Sequence, residues 1–244
     1  MTLKVLTYNL HKGYSVFNLK YNLFDIKEAL KSTDADIVFL QEIAGYIPEK
    51  LNLPVTALPF EVLAENIWPH HSYGKNAVYK KGHHGNAILS SFAMQTKNNL
   101  DLSLHQLEKR GLLHTQIQLG EKVVHLYCTH LNLTHRHRRK QVQEIIRYIK
   151  ETSEMSDPII FCGDFNDWNK KLSYYLETEI GLTESFKTMT GTYANSYPAI
   201  YPVMPLDRIY SRGFEVIKSK PLLHRHWRLL SDHIPLMSTL KLCD

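Results

Sequence analysis

Three short stretches of the chain combine residue types that could activate a water molecule and hold the group it attacks. In Ile159-Ile160-Phe161-Cys162-Gly163-Asp164-Phe165-Asn166, an apolar run ends in glycine and then offers a carboxylate and an amide two residues apart. Glycine permits close backbone approach, the Asp164 carboxylate can accept a proton from water, and Asn166 can orient that water or a phosphoryl oxygen. An Asx-turn would produce the same four letters. Ser231-Asp232-His233 and Leu206-Asp207-Arg208-Ile209-Tyr210 are weak signals singly. An aspartate and a histidine distant in sequence can still meet in space, where the carboxylate fixes the imidazole tautomer and supports its protonated form. Asp207 with His233 is the pair expected to do so.

Thr7-Tyr8-Asn9-Leu10-His11 and Phe39-Leu40-Gln41-Glu42 each leave an oxygen-bearing side chain at the tip of an apolar run. Asn9 and Glu42, joined by Asp232, suit a hard cation such as magnesium, which prefers oxygen ligands and keeps several waters. Taken alone, Glu42 reads equally well as a surface carboxylate leading a helix.

These residues need rigid elements to place them. Short apolar runs predict strands at Leu3 to Leu10, Asp36 to Gln41, Phe60 to Ala64, Ala77 to Tyr79, Asn86 to Ser90, Leu112 to Leu119, Val123 to Leu131, Ile159 to Phe161, Arg208 to Ser211 and Pro235 to Leu240. Leu113, Thr115, Ile117 and Leu119 alternate with His114, Gln116 and Gln118, the period of a strand with one wet face. That strand is expected to pair with the next as a hairpin across Gly120-Glu121. Helical spacing appears at Leu23, Ile26 and Leu30, and in full at Val142, Ile145, Ile146 and Ile149. A weaker helix is expected after Trp168, and Thr190 to Pro205, with three tyrosines and three prolines, predicts a long irregular loop at a rim or packed on the surface. Strands dominate and no period repeats, so a two-sheet α/β sandwich is expected.

With 244 residues, 43% hydrophobic and 22% charged, the chain has the mix of an ordinary globular protein, and one domain over 1–244 is expected. No apolar run is long enough for a transmembrane segment. Its first residues already read as a strand rather than an export signal. Three cysteines without CxxC spacing fit a reducing compartment, so a cytoplasmic location is expected. A net charge of +5 and fourteen histidines favour polyanionic partners without choosing among nucleic acid, phosphorylated headgroups and acidic membranes. The run His135-Arg136-His137-Arg138-Arg139-Lys140 opens a helix behind Thr134 as N-cap. Cations there oppose the helix dipole, so the cluster reads either as a polyanion contact or as a solvated helix end. The pairs His83-His84, His135/His137 and His224/His226 invite a zinc reading, but matching cysteines and an HExxH pattern are missing.

In order along the chain, TYNLH, LQE, GNAILS, THL, GDFN, LDRIY and SDH resemble the endonuclease/exonuclease/phosphatase superfamily, over nearly the whole length. TxNxHKG and GDFNDW are similar to a small bacterial branch of it. The resemblance implies a DNase I-like fold, a four-layered α-β-β-α sandwich of two mixed β-sheets with the site at strand ends where the sheets meet. It implies Glu42 as the main metal ligand, Asn9 as its neighbour and Asp232 beside the metal. Asp164 would activate or position water and Asn166 would contact the phosphate. His233 with Asp207 would stabilise the phosphorane or serve as acid/base, and His130 would bind phosphate or protonate the leaving oxygen.

By the same resemblance Arg110 and Asn86 would lie near the substrate phosphate, with His84 and His11 as further substrate-side candidates. Some superfamily nucleases carry an acidic ligand where this chain has His11, which makes manganese an alternative to magnesium. The implied activity is metal-dependent hydrolysis of a phosphodiester by in-line attack of water, with nucleic acid as leading substrate. A phospholipid or sphingolipid headgroup is the alternative substrate, with peripheral membrane contact, and an inactive polyanion-binding module the alternative of another class. Inositol phosphate phosphatases are disfavoured, because Pro205-Leu206 replace their tryptophan-cysteine pair ahead of Asp207. No protein partner is expected.

Overall fold

A computed structural model describes residues 1–16, 21–46, 58–79, 82–105 and 108–243. Strand β1 (Thr2–Asn9) is apolar on both faces, so it lies inside a sheet covered on both sides. Leu3 and Val5 face a second sheet, while Leu6 and Tyr8 face helices. The first six-stranded sheet runs in the order β11 (Phe214–Pro221), β12 (Leu236–Leu242), β1, β2 (Ile37–Tyr46), β4 (Gly82–Ser90), β3 (His70–Tyr79). The second runs β5 (Met94–Asp101), β6 (Gly111–Leu119), β7 (Lys122–His130), β8 (Ile159–Asp164), β10 (Asp207–Arg212), β9 (Thr183–Glu184).

Both sheets are mixed. Each holds a parallel pair, β1 with β2 and β7 with β8, and antiparallel neighbours around it. Parallel strands need a crossover, and here each is helical: α1 (Leu23–Lys31) in the first sheet and α3 (His135–Thr152) in the second. The apolar stripe of α3, Val142, Ile145, Ile146 and Ile149, packs on Ile159 and Phe161 of β8. Burying each such side chain contributes about 1.5–3 kcal/mol, so Ile145→Asp would unseat the helix. Helix α4 (Ser173–Ile180) adds Leu176 and Ile180 to the same layer. Helices α1 and α2 (Pro59–Ala64) cover the other outer face. Three apolar layers, one under each helical face and one between the sheets, make the expected four-layered α-β-β-α sandwich.

Phe60 to Ala64, read as a strand, is helix α2. A five-residue apolar run carries too little periodicity to decide. Pro59 opens the first turn, and the Glu61 side chain accepts from the Leu58 N–H at 3.2 Å, which closes the helix start. The hairpin of β6 and β7 turns at Gly120-Glu121 as expected, with Gly120 at φ +61°. Thr134 stands at the N-cap of α3, but its side chain makes no capping hydrogen bond. Strands β5, β9 and β11 have no counterpart in the sequence reading, and β3 was seen only at its end. All four are edge strands, where polar residues such as Lys97, Lys218 and Lys220 replace the apolar pattern.

After α5 (Ser185–Thr190), residues 191–206 form the expected irregular loop, apart from one bridge between Tyr197 and Met204. It is both surface crossover and rim. The buried Ser196 accepts from the Leu206 and Asp207 N–H groups through Oγ, and its carbonyl accepts from Ile234. Helix α6 (Trp227–Leu230) then leads back into β12. No helix among the described residues is long and apolar enough to cross a membrane.

Candidate active site

Parallel strands end on the same side, so Asn9 of β1, His130 of β7 and Asp164 of β8 meet at one end of the sandwich. Asp207 opens β10 there, directly opposite Asp164, which itself stands beside His130. These three occupy one row across the second sheet. His233 returns to the same end ahead of β12, which runs antiparallel to β1. Close strand packing depends on Gly163, because a Cβ there would lie 2.0 Å from the Thr129 carbonyl oxygen.

Glu42 reaches the site by a different route. It lies within β2, where pairing with β4 slips between Leu40 and Ile43, and its φ is +52°. The bulge re-aims its carboxylate towards the cleft. His11 and Asn166 also have positive φ, +45° and +49°. Such backbone conformations cost about 1–3 kcal/mol each in non-glycine residues, and three of them gather at this end.

The cleft has a volume of about 440 Å³ and is lined by Asn9, Glu42, Arg110, His130, Leu133, Asp164, Asn166, Trp168, Tyr197, Met204, Leu206, Asp232 and His233. At its floor His233 Nδ1–H donates to Asp207 Oδ2 at 2.7 Å, and His233 Nε2 lies 3.8 Å from Asp164 Oδ2. Asp164 accepts from Asn9 Nδ2 at 3.0 Å and from the Asn166 N–H at 2.9 Å. The Asn9 contact ties the two sheets together. Asn166 Nδ2 donates to the Leu131 carbonyl at 2.9 Å and lies 3.1 Å from His130 Nε2. A carbonyl only accepts, so Asn166 presents its NH2 here and His130 Nε2 is the acceptor.

Charge states follow from these neighbours. Burial works to lower the pKa of His233, but Asp207, Asp164 and Asp232 together outweigh it and raise it to about 10. The ring is a cation at neutral pH. Burial holds His130 well below the ordinary imidazole value, helped by Arg110 and His233, so it stays neutral. Burial and the nearby Asp207 raise Asp164 to about 6, which keeps it an ionised base of useful strength near neutrality.

A divalent cation would find its oxygen donors on the Glu42 side. Glu42 is partly exposed and its recorded polar neighbour, His130 Nδ1, is 3.7 Å away, beyond hydrogen-bond reach. Asp232 Oδ1 lies 3.3 Å from Ser231 Oγ and 3.6 Å from His11 Nδ1, with its carboxylate still partly exposed. Asn9 Oδ1 accepts from the His11 N–H at 3.0 Å and retains a lone pair. This donor set fits a hard cation. Asp164, Asp207 and His233 also lie within 4.8 Å of one another. A protonated His233 opposes a second cation there, so that trio is better suited to proton chemistry.

Not every sequence candidate meets the cleft. Asn86 is buried between the sheets, where its Nδ2 donates to the carbonyls of Gly111 and Cys128. It braces the sandwich and is absent from the cleft lining. His84 lies on β4 opposite Ala44, outside the lining, and burial lowers its pKa to about 4. His11 sits at the rim beside Asp232. Arg110 does line the cleft, with its guanidinium paired to Glu108 at 3.0 Å and to the Leu131 carbonyl at 3.1 Å. Arg138 departs most from expectation: it is fully buried, donates to the Asn132 and Leu133 carbonyls, and stacks 4.4 Å from the Trp168 ring centre. Arg136, Arg139 and Lys140 remain exposed.

Sequence reasoning missed Ser196, Trp168 and Ser231 as parts of the site. Ser231 Oγ donates to the Asn9 carbonyl at 2.7 Å and so joins the ends of two distant segments. Only a three-dimensional arrangement could reveal it.

Residues 6–233 match the endonuclease/exonuclease/phosphatase family. The chain is 38% identical to the uncharacterized protein YbhP of Escherichia coli (strain K12), over 98% of this chain and 96% of that one. Among solved structures it resembles an endonuclease/exonuclease/phosphatase from Beutenbergia cavernae, with a TM-score of 0.79 and 17% identity, covering 99% of this chain and 72% of the other. It also resembles D. rerio TDP2 complexed with a single strand DNA product, with a TM-score of 0.73 and 18% identity, covering 98% and 99%. Identities this low speak for the fold alone, whereas the match across residues 6–233 and the YbhP relative carry the assignment: the chain belongs to the endonuclease/exonuclease/phosphatase family.

Proposed function

We propose that this protein is a divalent-metal-dependent phosphodiesterase that acts on nucleic acid by in-line attack of water on phosphorus. The observation that carries the reading is a protonated His233 between two buried carboxylates on the floor of a cleft whose Glu42 carboxylate has no hydrogen-bond partner among the described residues. Asp164 accepts the proton of the attacking water and Asn9 holds its carboxylate in place. His233 Nε2–H donates to the oxygen on which charge develops, and Asp207 keeps that ring charged and oriented. Neutral His130, its Nε2 held by Asn166, offers Nδ1–H to a phosphoryl oxygen, with Arg110 at the rim. Glu42, with Asp232 and Asn9, would hold magnesium or manganese, which would neutralise phosphate charge and polarise the P–O bond.

Nucleic acid is favoured by the wall of the cleft. Trp168 lines the cleft, is 46% exposed and is backed by Arg138, whose helix α3 also carries the exposed Arg136, Arg139 and Lys140. An exposed aromatic face in the cleft, backed by a basic helix, suits stacked bases on a phosphate backbone. The related fold of D. rerio TDP2, seen with single strand DNA product, agrees with this. A lipid headgroup is the second reading, favoured by Ile200, Tyr201 and Val203, which stand exposed on the loop that supplies Tyr197 and Met204 to the cleft.

The test is hydrolysis of bis-p-nitrophenyl phosphate, single- and double-stranded DNA, RNA and phospholipid vesicles with magnesium, manganese or EDTA. Nucleic acid turnover that needs metal and disappears in Glu42→Ala and His233→Ala is the expected result. Turnover of vesicles alone would select the lipid reading. No turnover of any substrate by the folded wild type would sink both.

A further inference from the structure

Outside the strand-end site, three metal-ligating side chains converge on the rim of the second sheet. His105 and Glu108 lie ahead of β6, and His137 lies in the first turn of α3. One nitrogen of each imidazole and one oxygen of Glu108 all lie within 4.8 Å of one another. His105 Nε2 is 3.7 Å from Glu108 Oε2, too long for a hydrogen bond, and the two rings are 5.2 Å apart between centroids. His137 Nδ1 is enclosed without a hydrogen-bond partner among the described residues. The sequence had paired His137 with His135. The fold instead brings it to a histidine and a carboxylate from another segment.

Two imidazoles and a carboxylate are a softer donor set than the oxygens around Glu42, and they match ions of the zinc type. In a tetrahedral site with bonds of about 2.0–2.2 Å, ligand atoms stand about 3.3–3.6 Å apart. Small side-chain rotations would close the present arrangement to that spacing. We propose that His105, Glu108 and His137 form a second metal site, for a zinc-class divalent ion, on the rim of the cleft. Its position gives it a consequence for the cleft. Glu108 also accepts from Arg110 at 3.0 Å, from Asn132 Nδ2 at 2.6 Å and from the Leu133 N–H at 3.2 Å. An ion on Glu108 therefore fastens the segment before β6 to the start of α3 and competes with Arg110 for its counter-charge. The guanidinium is then freer to meet an anionic substrate.

The test measures binding, with no substrate present, so it is independent of the phosphodiesterase reading. Full-length protein, freed of metal, is titrated with zinc by calorimetry and with cobalt by visible absorption, beside Glu42→Ala, His105→Ala and His137→Ala. Circular dichroism checks that each variant is folded. The His105 side chain is 38% exposed, so its replacement leaves the core intact. The expected result is one zinc or cobalt equivalent that survives Glu42→Ala and weakens about 10–100-fold or more in both histidine variants. Binding lost only in Glu42→Ala, or unchanged in folded His105→Ala and His137→Ala, would overturn the proposal.

Discussion

His233 and His114 are buried almost equally, at 5% and 1% exposure, yet they hold opposite charge states. His233 is raised to about 10 because Asp207 and its neighbouring carboxylates overcome burial. His114 is lowered to about 3 by burial, with His125 and Lys97 adding to the effect. His114 stacks on Tyr127 with centroids 4.4 Å apart and hydrogen-bonds to Tyr148 and His125 at 3.1 Å. Asp157 lies 3.6 Å from His125, but it is partly exposed, and burial still lowers that imidazole. Strand β7 runs from one cluster to the other, with His125 near its start and His130 at its end, and burial lowers both imidazoles. Burial alone expels charge, whereas an enclosed carboxylate in direct contact retains it.

The largest test of this contrast is substitution at the two clusters. Asp164→Ala and His233→Ala are each expected to lower kcat/KM by about 10²–10³-fold, while His114→Leu leaves it unchanged. An equal loss in His114→Leu, with the fold intact, would remove the distinction.

Asp207→Asn sharpens the comparison, since it keeps the shape and deletes the charge. In an imidazole NMR titration, wild-type His233 should remain protonated at pH 8 and titrate near 10, and the variant should titrate well below that. Activity should fall below about pH 6 as Asp164 gains its proton, with a bound cation moving that limb lower, and fall again near pH 10 as His233 loses its own. A wild-type His233 titrating near the ordinary 6.5 would contradict the assigned charge state.

The smallest expected effect is on stability, and its sign differs between clusters. His233 binds its proton more tightly folded than unfolded, so its contribution is complete below about pH 6.5 and lost as pH rises towards 10. His114 binds its proton less tightly when folded. Stability therefore falls as pH drops from about 6.5 towards 3, because the unfolded chain takes up the proton first. Urea unfolding from pH 4 to 9 should show Asp207→Asn flattening the alkaline slope and His114→Leu flattening the acid slope. Identical profiles in both variants would show that neither imidazole carries the assigned linkage.

The strand ends at Asn9 and Asp164 were legible in the sequence because apolar runs stop abruptly there, and the Asp207–His233 pair followed from residue type, whereas Glu42, expected at a strand tip, lies inside β2 at a bulge. Other features were hidden for identifiable reasons. Edge strands such as β5 and β11 bury little, so they leave no apolar pattern. Arg138 looked like a surface cation, but an arginine can bury its stem, give one guanidinium nitrogen to backbone carbonyls and lay its plane on an aromatic ring. Asn86 looked like a phosphate contact, and only the second sheet supplies the carbonyls that occupy it.

By itself, the sequence determined the alternation of strands and helices, the apolar layers and the kinds of groups available for chemistry, since these depend on local periodicity and residue type. Tertiary structure alone decided the charges on His233, His130 and His114, the aim of Glu42 from a bulged strand, the bracing of Asp207 by Ser196, and the meeting of His105 and Glu108 with His137. Those properties depend on distance and solvent exclusion between residues far apart in the chain, and no local pattern encodes them.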